Sequence, residues 1–300
     1  MYHIPVLLHE AIEALDIQPD GTYVDVTFGG GGHSRAILEQ LGENGRLFGF
    51  DQDEDAKANV PDDERFTFVQ SNFRYLTRFL KLHGVRQADG ILADLGVSSH
   101  QLDTATRGFS YRFEADLDMR MNQGDDKTAA DILNTFPHAD LQAMFSEYGE
   151  VRNSRTLAQA IVDTRAKKPF KHIADLMLIL KPLARGEEMR YYSQVFQALR
   201  MEVNKEIEVL EEMLQNALES LKPGGRLVVI TFHSIEDRVV KNFMKSGNIQ
   251  GELVKDFYGN ITRPFDLVNK KAIEPSDKET KENSRSRSSK LRIAIKKASS

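Results

Sequence analysis

The stretch VDVTFGGGGHS (residues 24–34) places four consecutive glycines directly behind an apolar, β-branched run. The run reads as a buried strand. The glycines read as the place where backbone turns sharply and approaches a ligand without a Cβ in the way. Working outward, residues 22–28, 46–51, 66–70 and 90–95 are short runs rich in Val, Ile, Leu and Phe, bounded by Gly, Asp or Ser. Segments 34–41 and 73–83 lie between them with apolar residues at threes and fours. Strands alternating with helices predict an α/β fold with a parallel sheet and right-handed crossovers.

A fifth strand is expected at 226–232, after the turn signal Lys222-Pro223-Gly224-Gly225. A βαβ crossover needs about 30 residues or a little more, yet about 130 separate Leu95 from Arg226. The excess has helical patterning at 128–136, 139–148, 154–165 and 173–183, followed by one long helix over 194–221. The expectation is therefore a sheet domain built from 1–103 and 201–300, interrupted by a helical insertion at 104–200. Residues 1–16 read as an amphipathic first helix, and 236–245 as another. Later strands are expected at 265–273 and 290–295, with the polar stretch 275–289 as a mobile loop.

Composition narrows the chemistry. The 300 residues contain no cysteine. That fits a reducing cytoplasm, and it excludes a thiolate nucleophile, a cysteine-ligated zinc deaminase site and an iron–sulfur cluster. No apolar run approaches a membrane span, and the charged N-terminus is not a signal peptide. Forty basic against 45 acidic residues give a net charge of −5, so any polyanion contact must be local. The segment RSRSSKLRIAIKK (285–297) holds six basic residues and no acidic one; without it the balance is 34 against 45. A second basic cluster spans 165–171. Solvated charge is the ordinary alternative there.

In an open parallel sheet, ligands sit beyond the carboxyl ends of the strands, beside the switch point. The glycines stand there, leading into a helix whose first amides can face the ligand. Asp51 ends the second strand 20 residues beyond Gly31, where an acid can accept both hydroxyls of an adenosine ribose. A dinucleotide fingerprint wants Gly or Ala at its third position; this chain offers Ser34 or Arg35. Asp25 would sit badly near a pyrophosphate and suits the ammonium of a methionine moiety. These details favour S-adenosylmethionine over NAD.

The blocks VDVTFGGGGHS, DLGVSS with QLD (94–99 and 101–103), RGFSY (107–111), LDMRM (117–121), FQALRMEVN (196–204), FHSIEDRVVK (232–241) and SRSRSSKLR (284–292) occur in this order. Together they resemble the bacterial 16S rRNA cytosine-N4 methyltransferases, the RsmH or MraW family, over nearly the whole chain. The resemblance implies a class I, Rossmann-like methyltransferase sheet interrupted by a helical insert. It also implies a cytidine of the ribosomal decoding centre as substrate. Carried over by position, Gly31, Gly32, His33 and Asp51 match the cofactor loop and ribose acid. Phe73 matches an adenine-side contact, and Asp94 and Gln101 match cofactor contacts after the fourth strand. Two positions depart from the family. His100 stands where proline is common, which loosens the loop before Gln101, and Ser193-Gln194 replace a common Thr-Arg.

Methyl transfer to an exocyclic amine needs acceptors for its N–H groups as positive charge builds on nitrogen. Asp94, with the Leu95 carbonyl as helper, is the candidate; a loop-capping or cofactor role is its alternative. The Asp-Pro-Pro-aromatic pattern of many base-amine methyltransferases is replaced by Asp94-Leu95-Gly96-Val97. A stacking aromatic is therefore sought among Phe109, Tyr111 and Phe113. Ser234 is expected to cap the helix at 236 and His233 to face the cleft. Asp116, Asp118 and Arg120 are expected to form salt bridges, with no metal.

Overall fold

The structure is a computed structural model describing residues 5–255, 258–259, 261 and 263–298. It divides into two compact units, Met1–Gly96 with Glu208–Ser300, and Val97–Ile207. The middle unit thus runs from 97 to 207 instead of 104 to 200.

The first unit holds a seven-stranded sheet, β1 (Thr22–Asp25), β2 (Arg46–Asp51), β3 (Phe66–Gln70), β4 (Ala88–Asp94), β5 (Leu221–Thr231), β6 (Phe265–Leu267) and β7 (Lys290–Lys296), in the order β3-β2-β1-β4-β5-β7-β6. The five strands from β3 to β5 are parallel, and β7 runs antiparallel to β5 and β6. This is a doubly wound class I arrangement, and its strand order reverses between β1 and β4. Side chains alternate across the sheet with period two. Val24, Phe48 and Ile91 join one buried cluster, while their neighbours Tyr23, Leu47 and Leu92 join the other.

β1 stops at Asp25, short of the expected 28. The chain beyond it stays extended, with Val26 N–H bonding Leu92 O and Phe28 N–H bonding Phe50 O, both at 2.9 Å. β5 begins earlier than expected because Leu221 pairs with Ala88. Pairing resumes at Gly90 with Arg226, and the Pro-Gly-Gly turn becomes an irregularity inside the strand. Helix α1 is Leu8–Leu15; residues 1–4 of the expected first helix lie outside the described residues.

The segment expected as a mobile loop is ordered. It forms a helix over Asp277–Glu282 and a 3-10 turn over Ser284–Ser288, with Ser286 and Ser289 buried. Glu279 accepts a hydrogen bond from Leu7 N–H at 2.8 Å. The expected late strand contracts to β6, and Ile273 makes only an isolated bridge to Leu291.

The second unit is helical, with its own core around Leu133, Leu141, Phe145, Leu157, Ile161, Leu176 and Leu199. The long helix expected over 194–221 is two helices, Glu188–Val203 and Glu206–Ser220. The break follows from contacts made at Asn204. Asn204 donates to Met119 O and Arg200 O and accepts from Met121 N–H, and Lys205 takes a left-handed φ of 50°. No helix among the described residues is long and apolar enough to cross a membrane.

Candidate active site

The register brings the carboxyl ends of β1, β2 and β4 together: Asp25 lies beside Gly49 and Leu92, and Asp51 and Asp94 close their strands. After β1 the glycine loop turns into α2 (Gly32–Gln40). Gly29 and Gly31 have φ of 49° and 72°, which glycine adopts without penalty. A Cβ on Gly32 would lie 2.1 Å from Pro5 Cγ, whereas one on Gly30 would meet nothing within 4 Å. No side chain caps α2, so its first-turn N–H groups face the loop as anion or carboxylate donors.

Asp51 braces this loop. Its Oδ2 accepts from Gly29 N–H and its Oδ1 from Asp53 N–H, both at 2.8 Å. Burial pushes its pKa up to about 6, against the pull of these two bonds. Asn59 donates to Gly29 O at 3.0 Å, tightening the same turn. Gln52, one residue on, accepts from Asn72 Nδ2 at 2.7 Å. Asn72 in turn caps the 3-10 turn Phe73–Tyr75, leaving Phe73 half-buried against the sheet core. The Gln52–Asn72 link was not read from the sequence. Two amides 20 residues apart carry no periodic signal.

Asp25 departs from its expected role. It is only 1% exposed, and its oxygens are engaged by Ser34 Oγ at 2.7 Å and Thr27 N–H at 3.1 Å. Burial raises its pKa against the pull of these bonds, and it sits beneath the loop instead of reaching an ammonium directly. Thr27 is a further site residue that was missed: its hydroxyl accepts from Asp94 N–H at 2.6 Å and reaches Asp25 Oδ1 at 3.4 Å.

Asp94 stands at the end of β4 with its side chain 24% exposed. Oδ1 is buried without a hydrogen-bond partner, and Oδ2 lies 3.7 Å from His33 Nδ1. Desolvation, reinforced by the Asp25 and Glu236 carboxylates, pushes its pKa well above the usual range. His33 is buried, with Nε2 at 3.1 Å from Val6 O. Burial lowers its pKa, opposed by the charge of Asp25. Among the described residues, Asp25, Asp51 and Asp94 have no lysine or arginine partner. Ionised carboxylates so grouped favour an incoming cation over an anion. A pyrophosphate does not fit this site; a sulfonium carrying an ammonium does.

A family model described as the MraW methylase family matches residues 1–297. The chain belongs to that family. Curated relatives called "Ribosomal RNA small subunit methyltransferase H" include those of Bacteroides thetaiotaomicron, 59% identical, and Bacteroides fragilis, 58% identical. Each alignment spans 297 residues, 99% of this chain and 98% of the relative. Among solved structures, an rRNA methylase from Streptococcus thermophilus aligns over 99% of this chain and 100% of its own, at 11% identity and a TM-score of 0.43. As in the rest of the family, the methyl donor is S-adenosylmethionine, and the residues present fit it. In such a fit Asp51 would take the ribose, the α2 amides the carboxylate, and the carboxylates without a lysine or arginine partner the two positive charges. When bound, the cofactor supplies an electrophilic methyl on a cationic sulfur.

The expected cap on the helix after β5 shifts by one residue. His233, not Ser234, caps Ser234–Ser246, accepting Glu236 N–H at Nδ1 at 3.4 Å. Its Nε2 lies 2.9 Å from the buried Glu236 carboxylate but makes no hydrogen bond, so only Nδ1 is engaged at the helix start. Part of the basic tail is committed as well. Arg292 makes a two-point pair with Asp237 at 2.6 and 2.9 Å, and Lys297 pairs with Asp266 at 3.0 Å. Arg287 is exposed.

In the helical unit, Gln101 is 5% exposed. It closes a capping box with Ser98 at the start of Ser99–Asp103, so His100 does not leave this turn loose. Phe109 belongs to that unit's core, and Tyr111 packs edge-on against Tyr192 and Phe196. Of the three candidate aromatics, Phe113 is the exposed one, at 38%. Asp118 pairs with Arg120 through both oxygens at 2.8 and 2.7 Å, and Asp116 with His172 at 2.8 Å. Arg165 is held by Leu133 O and Phe136 O, and Lys168 by Asp175, which depletes the 165–171 cluster.

Proposed function

We propose that this chain methylates the N4 amine of a cytidine in the decoding centre of 16S rRNA, acting on the small ribosomal subunit in a reducing cytoplasm. The reading rests on Asp94: a carboxylate at the cleft edge, beside the cofactor loop, with one oxygen unpartnered and a raised proton affinity. The relatives' names supply the RNA class, and the absence of cysteine favours nitrogen over ring carbon as acceptor. Asp94 accepts the amine N–H groups, orients the nitrogen lone pair, and takes up the proton that the methylated nitrogen sheds. A carboxylate of raised proton affinity suits this task. Gly31, Gly32, His33, Asp51, Phe73 and Gln101 are the cofactor residues. That unit recognises RNA, with Phe113 as base-stacking platform, and Arg285, Arg287 and Lys290 contact phosphates.

The test is single-turnover methyl transfer to 30S subunits and to naked 16S rRNA, with the product nucleoside identified by chromatography against N4- and C5-methylcytidine. Asp94→Asn should slow transfer by about 10²–10⁴ with both substrates saturating. A near-wild-type rate makes Asp94 a binding residue only. A C5 product overturns the mechanism, and cofactor binding without transfer by the wild type points to an assembly factor. Binding of NAD in equilibrium dialysis would point to an oxidoreductase.

A further inference from the structure

His33 enters the reading above only as part of the cofactor loop, yet its ring is placed to do more. Nε2 faces the Val6 carbonyl at 3.1 Å, and a carbonyl can only accept, so the ring proton resides on Nε2. Nδ1 is therefore an open acceptor, and it faces Asp94 Oδ2 at 3.7 Å. With Asp94 ionised both atoms are acceptors and no hydrogen bond joins them; one forms only once Asp94 takes up a proton and the two draw together. The strap carrying Val6 is itself fixed. Pro5 lies over Gly32, Leu7 adopts φ 49°, and Leu7 N–H is clipped by Glu279 of the C-terminal segment.

We propose that His33 is the positioning residue for Asp94 and the second carrier of the reaction proton, its tautomer set by the strap at residues 5–7. The proposal rests on Asp94 being the proton acceptor. As the N–CH3 bond forms and the S–CH3 bond breaks, sulfur keeps the bonding pair and the amine nitrogen must lose one proton. That proton passes to the Asp94 carboxylate and from Oδ2 to His33 Nδ1, and the pair goes from one negative charge to none. The groups facing the pair act on both partners. Glu236 faces Asp94 from the helix after β5 and, with Asp25, raises the proton affinity of Asp94; burial lowers the His33 pKa on balance, while Asp25 on β1 favours the protonated imidazole. The Val6 carbonyl, facing Nε2, favours it too.

The test compares wild type, His33→Gln and Asp94→Asn in single-turnover transfer to 30S subunits across pH, with saturating cofactor. His33→Gln keeps an N–H for Val6 but offers Asp94 no titrating atom. It should slow transfer roughly 10- to 100-fold, less than loss of Asp94 itself. Its acid limb should also move down by about one unit, because a proton shared by two sites is held more tightly than by one. A slower variant with an unmoved acid limb overturns the proposal and leaves His33 as scaffold. If Asp94→Asn keeps its rate, the fault lies instead in the reading of Asp94. A second measurement needs no variant turnover. Nitrogen-15 spectra of histidine-labelled wild type should show His33 as the Nε2–H tautomer, and the Nδ1–H tautomer refutes the proposal.

Discussion

Replacing Asp51 by Asn tests whether this carboxylate holds the ribose. In the free protein both oxygens serve the loop, and burial sets the pKa at about 6. Ribose hydroxyls donating to the ionised group should add about 1.5–3 kcal/mol, or about 10- to 100-fold in Kd. The same interaction lowers the bound-state pKa by about 1–2 units. The free protein then binds a proton at about pH 6 that the complex releases until lower pH. Wild-type affinity for S-adenosylhomocysteine should consequently be flat above about pH 7. Below about pH 6 it should fall, reaching its lower plateau near pH 4–5. Asp51→Asn should bind 10- to 100-fold more weakly at neutral pH and lose this limb. Calorimetric titration of both proteins between pH 5 and 8 reads the two effects together. The unliganded melting temperature separates out loop damage, since Asn leaves one of the two N–H groups without its acceptor. For stability the sign is opposite. A carboxyl with a raised folded pKa stabilises most below its unfolded pKa, and that contribution, at most about 3 kcal/mol, is lost as pH rises through about 6. A variant that retains the wild-type pH limb, or binds within about twofold at neutral pH, refutes the ribose assignment.

The glycines and the tail give sharper contrasts. Gly30→Ala should leave thermal stability unchanged, while Gly31→Ala should cost at least about 1–2 kcal/mol, because φ is 72° and the Phe28 ring lies 2.9 Å from the new Cβ. Thermal melts of both variants check this, and equal losses would contradict it. Arg292→Ala should lower stability by on the order of 2–3 kcal/mol by leaving the buried Asp237 with only Lys290 at 3.9 Å, without changing the salt dependence of RNA binding. Arg287→Ala should do the reverse, lowering the slope of log K against log salt by about 0.7–0.9.

Which parts of the molecule were legible follows from where the information resides. β2 and β3 match their expected limits because apolar runs flanked by Gly, Asp or Ser are local signals. Asp51 and Asp94 end their strands as expected, because strand ends at a switch point have a fixed place in a parallel sheet. The helix break at Asn204 was hidden because it depends on Met119 and Met121, 85 and 83 residues away. Asp25 was misread for a related reason. The sequence places a carboxylate under the loop but does not reveal that Ser34 and Thr27 already satisfy it. The polar stretch 275–289 has no apolar period, so its order, anchored by Ser286, Ser289 and the Glu279 clip, left no trace in the pattern.

The sheet's centre is stitched from distant parts of the chain, and this has a consequence for the protein's birth. β4 ends at Asp94 and its partner β5 starts at Leu221, with the entire helical unit encoded between them. At a synthesis rate of about 5–20 residues per second, β4 leaves the ribosome roughly 6–25 s before the strand that will cover its open edge. During that interval β1 to β4 form an incomplete half-sheet whose β4 edge lacks its β5 partner, while the helical unit, with a core of its own, can already condense. Conditions that slow translation or raise temperature should therefore cost this protein yield through the nascent β4 edge, even where the finished fold is stable.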